Sequence, residues 1–224
     1  MDKNRHSLQK AYTTGEEIFN SVSHGLGAVL SSAGCAILVV YSVFFCDAYA
    51  ITASAIYGAT LLIMYLMSTL YHSFTNESVK QLFRIFDHCS IFLLIAGTYT
   101  PFTLITLRGP LGWSMFGGIW GAAVLGIVLN AISIEKFKKI SLVCYVAMGW
   151  VIIFASSPLA QALSFSSILL LIAGGGAYSI GVIFYKLKKL RYMHSLWHLF
   201  VLAGSILHYL CVILYVLPAA SVSH

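Results

Sequence analysis

Long apolar stretches alternate with short polar segments along almost the whole chain. Each apolar run is long enough to cross the roughly 30 Å hydrocarbon core of a bilayer as an α-helix. There are seven such runs, at about 18–45, 50–73, 85–107, 111–132, 140–157, 165–185 and 193–217. The pattern predicts an all-α integral membrane bundle of seven transmembrane helices.

The polar segments divide the chain into a membrane domain and two tails. We expect residues 1–17 to form an amino-terminal arm, 18–217 the membrane domain and 218–224 a short external tail. The segment 75–84 is predicted to be a polar loop, and 135–139 a charged connector. The first run lacks a small-residue cleavage pattern at its end, so we interpret it as an uncleaved helix and not as a signal peptide.

The positive charges are distributed unequally between the two sides of this bundle. Twelve of the thirteen Lys and Arg residues lie in the arm or in the segments after the second, fourth and sixth runs, and only Arg108 lies on the other side. By the positive-inside rule, the amino terminus is cytoplasmic and the carboxyl terminus is outside. We therefore expect a multi-pass protein of the cell membrane.

Composition agrees with this class and limits the partners. Hydrophobic residues make up 59% of the 224 positions and charged residues 9%, against about 25% charged in soluble domains. The net charge of +6 is explained by the cytoplasmic segments, so membrane lipid and not nucleic acid is the expected partner. The five cysteines form no CxxC pair, which predicts free buried thiols and no disulfide framework.

Ionisable side chains at the cytoplasmic ends of the runs are the candidate functional residues, because such groups are costly at membrane depth. His72 ends the second run, Asp87 lies near the start of the third, and His194 and His198 open the seventh. A spacing of four places the last two imidazoles on one helix face, within reach of one metal ion. The alternative is that each histidine lies at the interface, with its ring in lipid and its nitrogens in water.

Three neutral imidazoles with a carboxylate or a water form a ligand set that zinc accepts. Glu17, Asn20 and His24 share one face of the first helix at the same level, and we expect them to support the site. Ser68 lies one turn before His72, where its hydroxyl would reach a water or a substrate oxygen. The alternative for Ser68 is a hydrogen bond to a carbonyl of its own helix.

The remaining histidines are not expected to bind metal. His88 points about 100° away from Asp87 around the helix axis. His208 lies about 15 Å further into the seventh run and is predicted to be a packed, hydrogen-bonded histidine. His6 and His224 are expected to be solvated near the chain ends.

In combination these motifs resemble the hemolysin III family, the bacterial branch of the progestin and adipoQ receptor (PAQR) membrane proteins. The resemblance runs from about residue 15 to 217. The matching segments are Glu17-xx-Asn20-xxx-His24-Gly25, Ser68-xxx-His72, Asp87-His88, Ala96-Gly-Thr-Tyr-Thr-Pro-Phe102, Gly112-Trp113, Met148-Gly-Trp150, Tyr178-xx-Gly181-xxx-Phe184-Tyr185, His194-xxx-His198 and His208-Tyr209.

The resemblance implies a seven-helix fold with zinc near the cytoplasmic face. It implies that His72, His194 and His198 bind the zinc and that Asp87 holds the zinc-bound water. Related receptors and the similar alkaline ceramidases suggest hydrolysis of a lipid amide.

Three functional hypotheses follow. In the first, the protein is a zinc-dependent hydrolase of a lipid amide or ester, in which Asp87 orients the water or acts as general base and Ser68 donates to the developing oxyanion. In the second, zinc is structural, and the protein has a receptor-like or membrane-homeostasis role without turnover. In the third, the protein is a cytolysin, as the family name implies. The sequence decides neither the enzymatic activity, nor the substrate, nor the oligomeric state.

Overall fold

The computed structural model describes residues 12–187 and 190–221, and within these ranges the chain is helical with short connections and no strand. The predictions for His6 and His224 fall outside the described residues. Short 3₁₀ or π turns continue α3, α4 and α7. The helices are α1 (Thr14–Phe45), α2 (Ala48–Ser73), α3 (Glu77–Pro101), α4 (Pro110–Trp150), α5 (Ser156–Ala162), α6 (Phe165–Lys186), α7 (Met193–Cys211) and α8 (Leu217–Ser221).

Six helical segments of the described chain are long and apolar enough to cross a membrane, which confirms the predicted all-α membrane class. The fourth of these, Pro110–Ala162, contains 53 residues and would be about 80 Å long if it were straight. Its backbone leaves the helical region at Ser133, where φ is −167° and ψ is 106°. This break separates the fourth apolar run of the sequence from the fifth.

Two segments predicted as connections are helical, and those predictions are wrong. α3 begins at Glu77, where the side chain of Asn76 accepts a hydrogen bond from Val79 N at 3.2 Å. The segment 135–139 is also helical, and Ser133 Oγ accepts a hydrogen bond from Lys136 N at 3.3 Å. The hydropathy of a sequence marks only the part of a helix that lies in lipid, whereas these helices continue into polar surroundings.

The core of the bundle lies where α1, α2 and α7 meet. α1 packs against α2 and α7, α2 against α3, α3 against α4, and α6 against α7. Tyr57 and Tyr65 of α2, Leu38 of α1 and Val201 of α7 are buried in this core. Many large apolar side chains on the opposite faces are exposed, as expected of helices surrounded by lipid. All five cysteines are free, but only Cys211 is buried, whereas the other four are partly exposed and not buried as predicted.

Candidate metal centre

Three of the predicted histidines meet where the last turn of α2 lies beside the first two turns of α7. One ring nitrogen from each of His72, His194 and His198 lies within 4.8 Å of the other two. Among the described residues, this is the one group of three or more His, Cys, Asp or Glu side chains that is arranged to hold a metal ion. The three residues are only 3%, 9% and 2% exposed, respectively.

Hydrogen bonds from α1 determine which nitrogens face the centre. His72 Nδ1 lies 2.6 Å from Glu17 Oε2, and a carboxylate oxygen accepts, so the proton is on Nδ1 and the lone pair on Nε2. His198 Nδ1 likewise donates to the backbone carbonyl of Asn20 at 3.3 Å. His198 Nε2 then lies 3.1 Å from His194 Nε2. The Nε2 lone pairs of His72 and His198 are thereby directed at the centre, and the ring of His194 lies beside them.

This donor set fits zinc. His72 Nε2 is buried and has no hydrogen-bond partner in the described parts of the chain, although such a nitrogen is costly to leave unsatisfied. Three imidazoles provide the ligands of a zinc site that keeps one position open. Hydrogen bonds from Nδ1 to a carboxylate and to a carbonyl fix the tautomer and orientation of zinc-binding imidazoles in proteins generally.

Glu17 connects this centre to the third helix. Its other carboxylate oxygen, Oε1, accepts from Lys80 Nζ at 2.8 Å, and the Lys80 ammonium lies 5.2 Å from the centroid of the Tyr71 ring. Glu17 therefore links α1, α2 and α3 at the level of His72. Sequence reasoning missed this role of Lys80, because it assigned residue 80 to a loop.

Asn20 and His24 also contact the histidines from α1. The side chain of Asn20 is fully buried, and its Oδ1 accepts from Ser195 Oγ at 2.7 Å. The ring of His24 stacks on that of His198, with centroids 3.6 Å apart and an interplanar angle of 12°. The structure thus brings Asn20 and His24 against α7, as Glu17 is brought against α2.

Asp87 and Ser68 lie beside the histidines without joining them. The Asp87 carboxylate is 3.4 Å from His88 Nδ1 and does not belong to the group of three converging imidazoles. The Ser68 hydroxyl is buried and faces Asp87, but it makes no close hydrogen bond within the described chain. The alternative bond from Ser68 to its own helix is therefore not formed.

The two other histidines of the membrane domain have different partners. His88 Nδ1 lies 2.9 Å from the carbonyl of Arg84 in its own helix. His208 Nε2 donates to the carbonyl of Leu171 at 3.0 Å, so the prediction of a packed, hydrogen-bonded His208 is confirmed.

A cavity of about 130 Å³ leads away from the centre. It passes between α3, the second half of α4, α6 and α7, and it reaches His208, about 15 Å along α7 from His198. Its polar end contains His24, Ser68 and Asp87 together with two of the converging imidazoles. The apolar side chains that line it include Ile91, Leu94, Ile95, Leu142, Val146 and Val201.

Tyr12, which precedes α1, and the first turn of α1 cover the centre on its other side. The Tyr12 ring stacks on His194, with centroids 4.9 Å apart, and burial raises the pKa of the Tyr12 phenol. Glu16 Oε1 accepts from the backbone N–H of Tyr192 at 2.7 Å, immediately before α7. Sequence reasoning missed Tyr12, because a single tyrosine in a polar arm has no informative spacing.

Comparison with known proteins identifies the family. The family model described as "Haemolysin-III related" matches residues 12–209. The chain belongs to this family. It is 48% identical to Hemolysin-3 of Bacillus cereus over 206 residues, which cover 92% of this chain and 94% of the relative. It is 41% identical to the Hemolysin-3 homolog of Bacillus subtilis (strain 168) over 204 residues, which cover 91% and 96% of the two chains.

A more distant relative extends the relationship to animals. The Monocyte to macrophage differentiation factor of Homo sapiens is 29% identical over 206 residues, which cover 88% of this chain and 83% of the relative. That protein is a PAQR family member, so the family predicted from the motifs is confirmed. Family membership and the six apolar helices identify this haemolysin-III protein as a multi-pass protein of the cell membrane.

Substitution of Glu17 tests how the centre is supported. We expect Glu17→Gln to lower the affinity for Zn²⁺ by about tenfold, because a carboxylate that accepts from a ligating imidazole raises its basicity and orients it. Glu77→Gln, at the exposed start of α3, is the matched control and should bind as the wild type does. Competition with a chromogenic chelator measures both affinities. Equal affinity in the wild type and Glu17→Gln would contradict the role of Glu17.

Proposed function

We propose that this protein is a zinc-dependent hydrolase of a lipid amide or ester, with its centre in the cytoplasmic leaflet. The observation that carries the proposal is a buried group of three imidazoles at one end of a largely apolar cavity. A zinc-dependent hydrolase of a lipid needs a metal site next to an apolar space that receives part of the acyl chain. Asp87 and Ser68, a carboxylate and a hydroxyl beside the centre, lie at the same end of the cavity.

The proposal includes seven membrane crossings, with the amino terminus in the cytoplasm and the carboxyl terminus outside. The Ser133 break supports two crossings within Pro110–Ala162, because about 80 Å of helix greatly exceeds a core of roughly 30 Å. The concentration of Lys and Arg residues in four segments supports the orientation. In this arrangement His72, His194 and His198 lie near the cytoplasmic surface.

Each side chain around the centre is assigned its own role in the proposed reaction. Zinc, when bound, would polarise the substrate carbonyl and acidify a water molecule. The Asp87 carboxylate orients the attacking water and accepts its proton. The Ser68 hydroxyl, which has no close partner among the described residues, donates to the carbonyl oxygen as negative charge develops there. Glu17 and Asn20 keep the imidazoles in place during the reaction.

A structural role for zinc is the second candidate, because the three imidazoles join α2 to α7. In that case the ion stabilises the bundle, and no lipid is cleaved. The name of the Bacillus cereus relative, Hemolysin-3, also attributes haemolysis to that protein. For this chain we propose that lysis would be a consequence of overexpression, because its long apolar helices suit it to remain in its own membrane.

Cysteine labelling tests the number of crossings. In a cysteine-free background, Arg108→Cys and Gln161→Cys should both react with an impermeant maleimide in intact cells, because two crossings return the chain to the same side. Lys139→Cys, between these positions, should react only after permeabilisation. Labelling of Arg108→Cys and Gln161→Cys from opposite sides would show a single crossing and contradict the proposed topology.

Substitution of Asp87 separates catalysis from metal binding. We expect Asp87→Asn to lower the turnover of a lipid amide or ester by about 100-fold or more, with the zinc content unchanged. Fatty acid release from a lipid panel in nanodiscs, beside elemental analysis, measures both quantities. Asp47→Asn is the control, because Asp47 caps α2 at the other end of the bundle and Asn caps helices equally well. Full turnover in zinc-loaded Asp87→Asn would refute the assigned role.

A further inference from the structure

Among the described residues, a single lysine or arginine side chain lines the cavity. The second half of α4 faces the cavity with a stripe of side chains at helical spacing, and Lys138 is its charged member. Lys136 and Lys139 of the same segment do not line the cavity. The members of this stripe include Ile134, Lys138, Ser141, Leu142, Tyr145 and Gly149.

Lys138 has no ion pair within the described chain. The nearest carboxylate along the helix, Glu135, is bound by Arg84, and the other lysine or arginine pairs join Lys80 to Glu17 and Arg108 to Asp47. The Lys138 side chain is half-buried. A half-buried ammonium that lacks a carboxylate partner favours an anionic ligand.

The height of Lys138 in the bundle indicates which part of a ligand it would meet. Glu135, three residues before Lys138, binds Arg84, three residues before Asp87. Lys138 therefore lies near the level of Asp87, towards the end of the helix that carries Glu135. In the proposed topology this end faces the cytoplasm.

The change from polar to apolar lining along the cavity matches the change from polar to apolar groups along a membrane lipid. Lys138, the imidazoles and Asp87 lie at the polar end, and the apolar lining extends from there towards His208. An anionic lipid presents a charged headgroup, then an ester or amide carbonyl, then an acyl chain. The long, flexible lysine side chain allows its ammonium to extend to the headgroup region.

We infer that Lys138 binds the phosphate or carboxylate of an anionic lipid from the cytoplasmic leaflet and that the acyl chain of this lipid lies in the cavity. Anionic lipids attract cationic side chains at that surface. As a statement about substrate class, the inference rests on the proposed hydrolase function. As a statement about binding, it requires no turnover, so the two are tested separately.

Quenching of cavity tryptophans by brominated lipids tests this inference. Trp150 and Trp197 line the cavity, whereas Trp113 and Trp120 do not, so the full-length protein is used with Trp113→Phe and Trp120→Phe. In phosphatidylcholine nanodiscs, phosphatidylglycerol with brominated acyl chains should quench the emission more strongly than equally brominated phosphatidylcholine. Lys138→Gln should reduce this preference about fivefold, whereas Lys138→Arg and Lys139→Gln should retain it.

Several outcomes would overturn the inference. A parent protein with no preference for phosphatidylglycerol would overturn it, and so would an unchanged preference in Lys138→Gln. An equal loss of preference in Lys139→Gln would also overturn it, because that result would indicate only general attraction to the membrane surface. Turnover measured on the same samples distinguishes the two proposals. A Lys138-dependent preference without hydrolysis of any lipid supports the binding inference and counts against the hydrolase. Hydrolysis without a Lys138-dependent preference supports the hydrolase and counts against the binding inference.

Discussion

Imidazole nitrogens inside a lipid-embedded bundle must find their partners within the protein, since the hydrocarbon offers none. In this chain α1 supplies a partner for one nitrogen of His72 and one of His198. Glu17 accepts from the Nδ1 atom of His72, and the Asn20 carbonyl accepts from that of His198. Because each neutral ring carries one proton, fixing it on Nδ1 leaves the Nε2 lone pair directed at the centre. The same two hydrogen bonds join α1 to α2 and α7, so the contacts that assemble the bundle also orient the imidazoles of the candidate metal site.

The lining of the cavity changes along its length from polar to apolar side chains. This change follows from the cost of unpaired polar groups deep in a membrane bundle. Lys138, the imidazoles and Asp87 lie at the end nearest the charged connector, and beyond them the walls are mainly apolar. A polar group deep in the bundle must be paired within it, as His208 is with the Leu171 carbonyl. This change from polar to apolar lining resembles the one across a single bilayer leaflet. The proposed anionic lipid would enter with its polar groups at the polar end and its acyl chain along the apolar walls.

The sequence was most informative where polar residues interrupt apolar helices. His72, His194 and His198 were predictable because ionisable side chains are costly in membrane helices and are therefore functional candidates. The i+4 spacing of His194 and His198 also places them on one face of α7. The start of α3 was not predictable from hydropathy, because a helix that leaves the membrane loses its apolar pattern but keeps its hydrogen bonds. Tyr12 and Ser195 were missed for another reason. Their contacts join segments far apart in sequence, and no periodicity within either segment reports them.

The most direct test of this account is the metal content of the detergent-purified protein, measured by inductively coupled plasma mass spectrometry. The account predicts about one zinc per chain in the wild type. It predicts the loss of zinc in the double variant His194→Ala, His198→Ala, and its retention in His88→Gln, whose ring lies outside the group of three. A folded wild-type protein without metal, or a double variant that keeps its zinc, would contradict it.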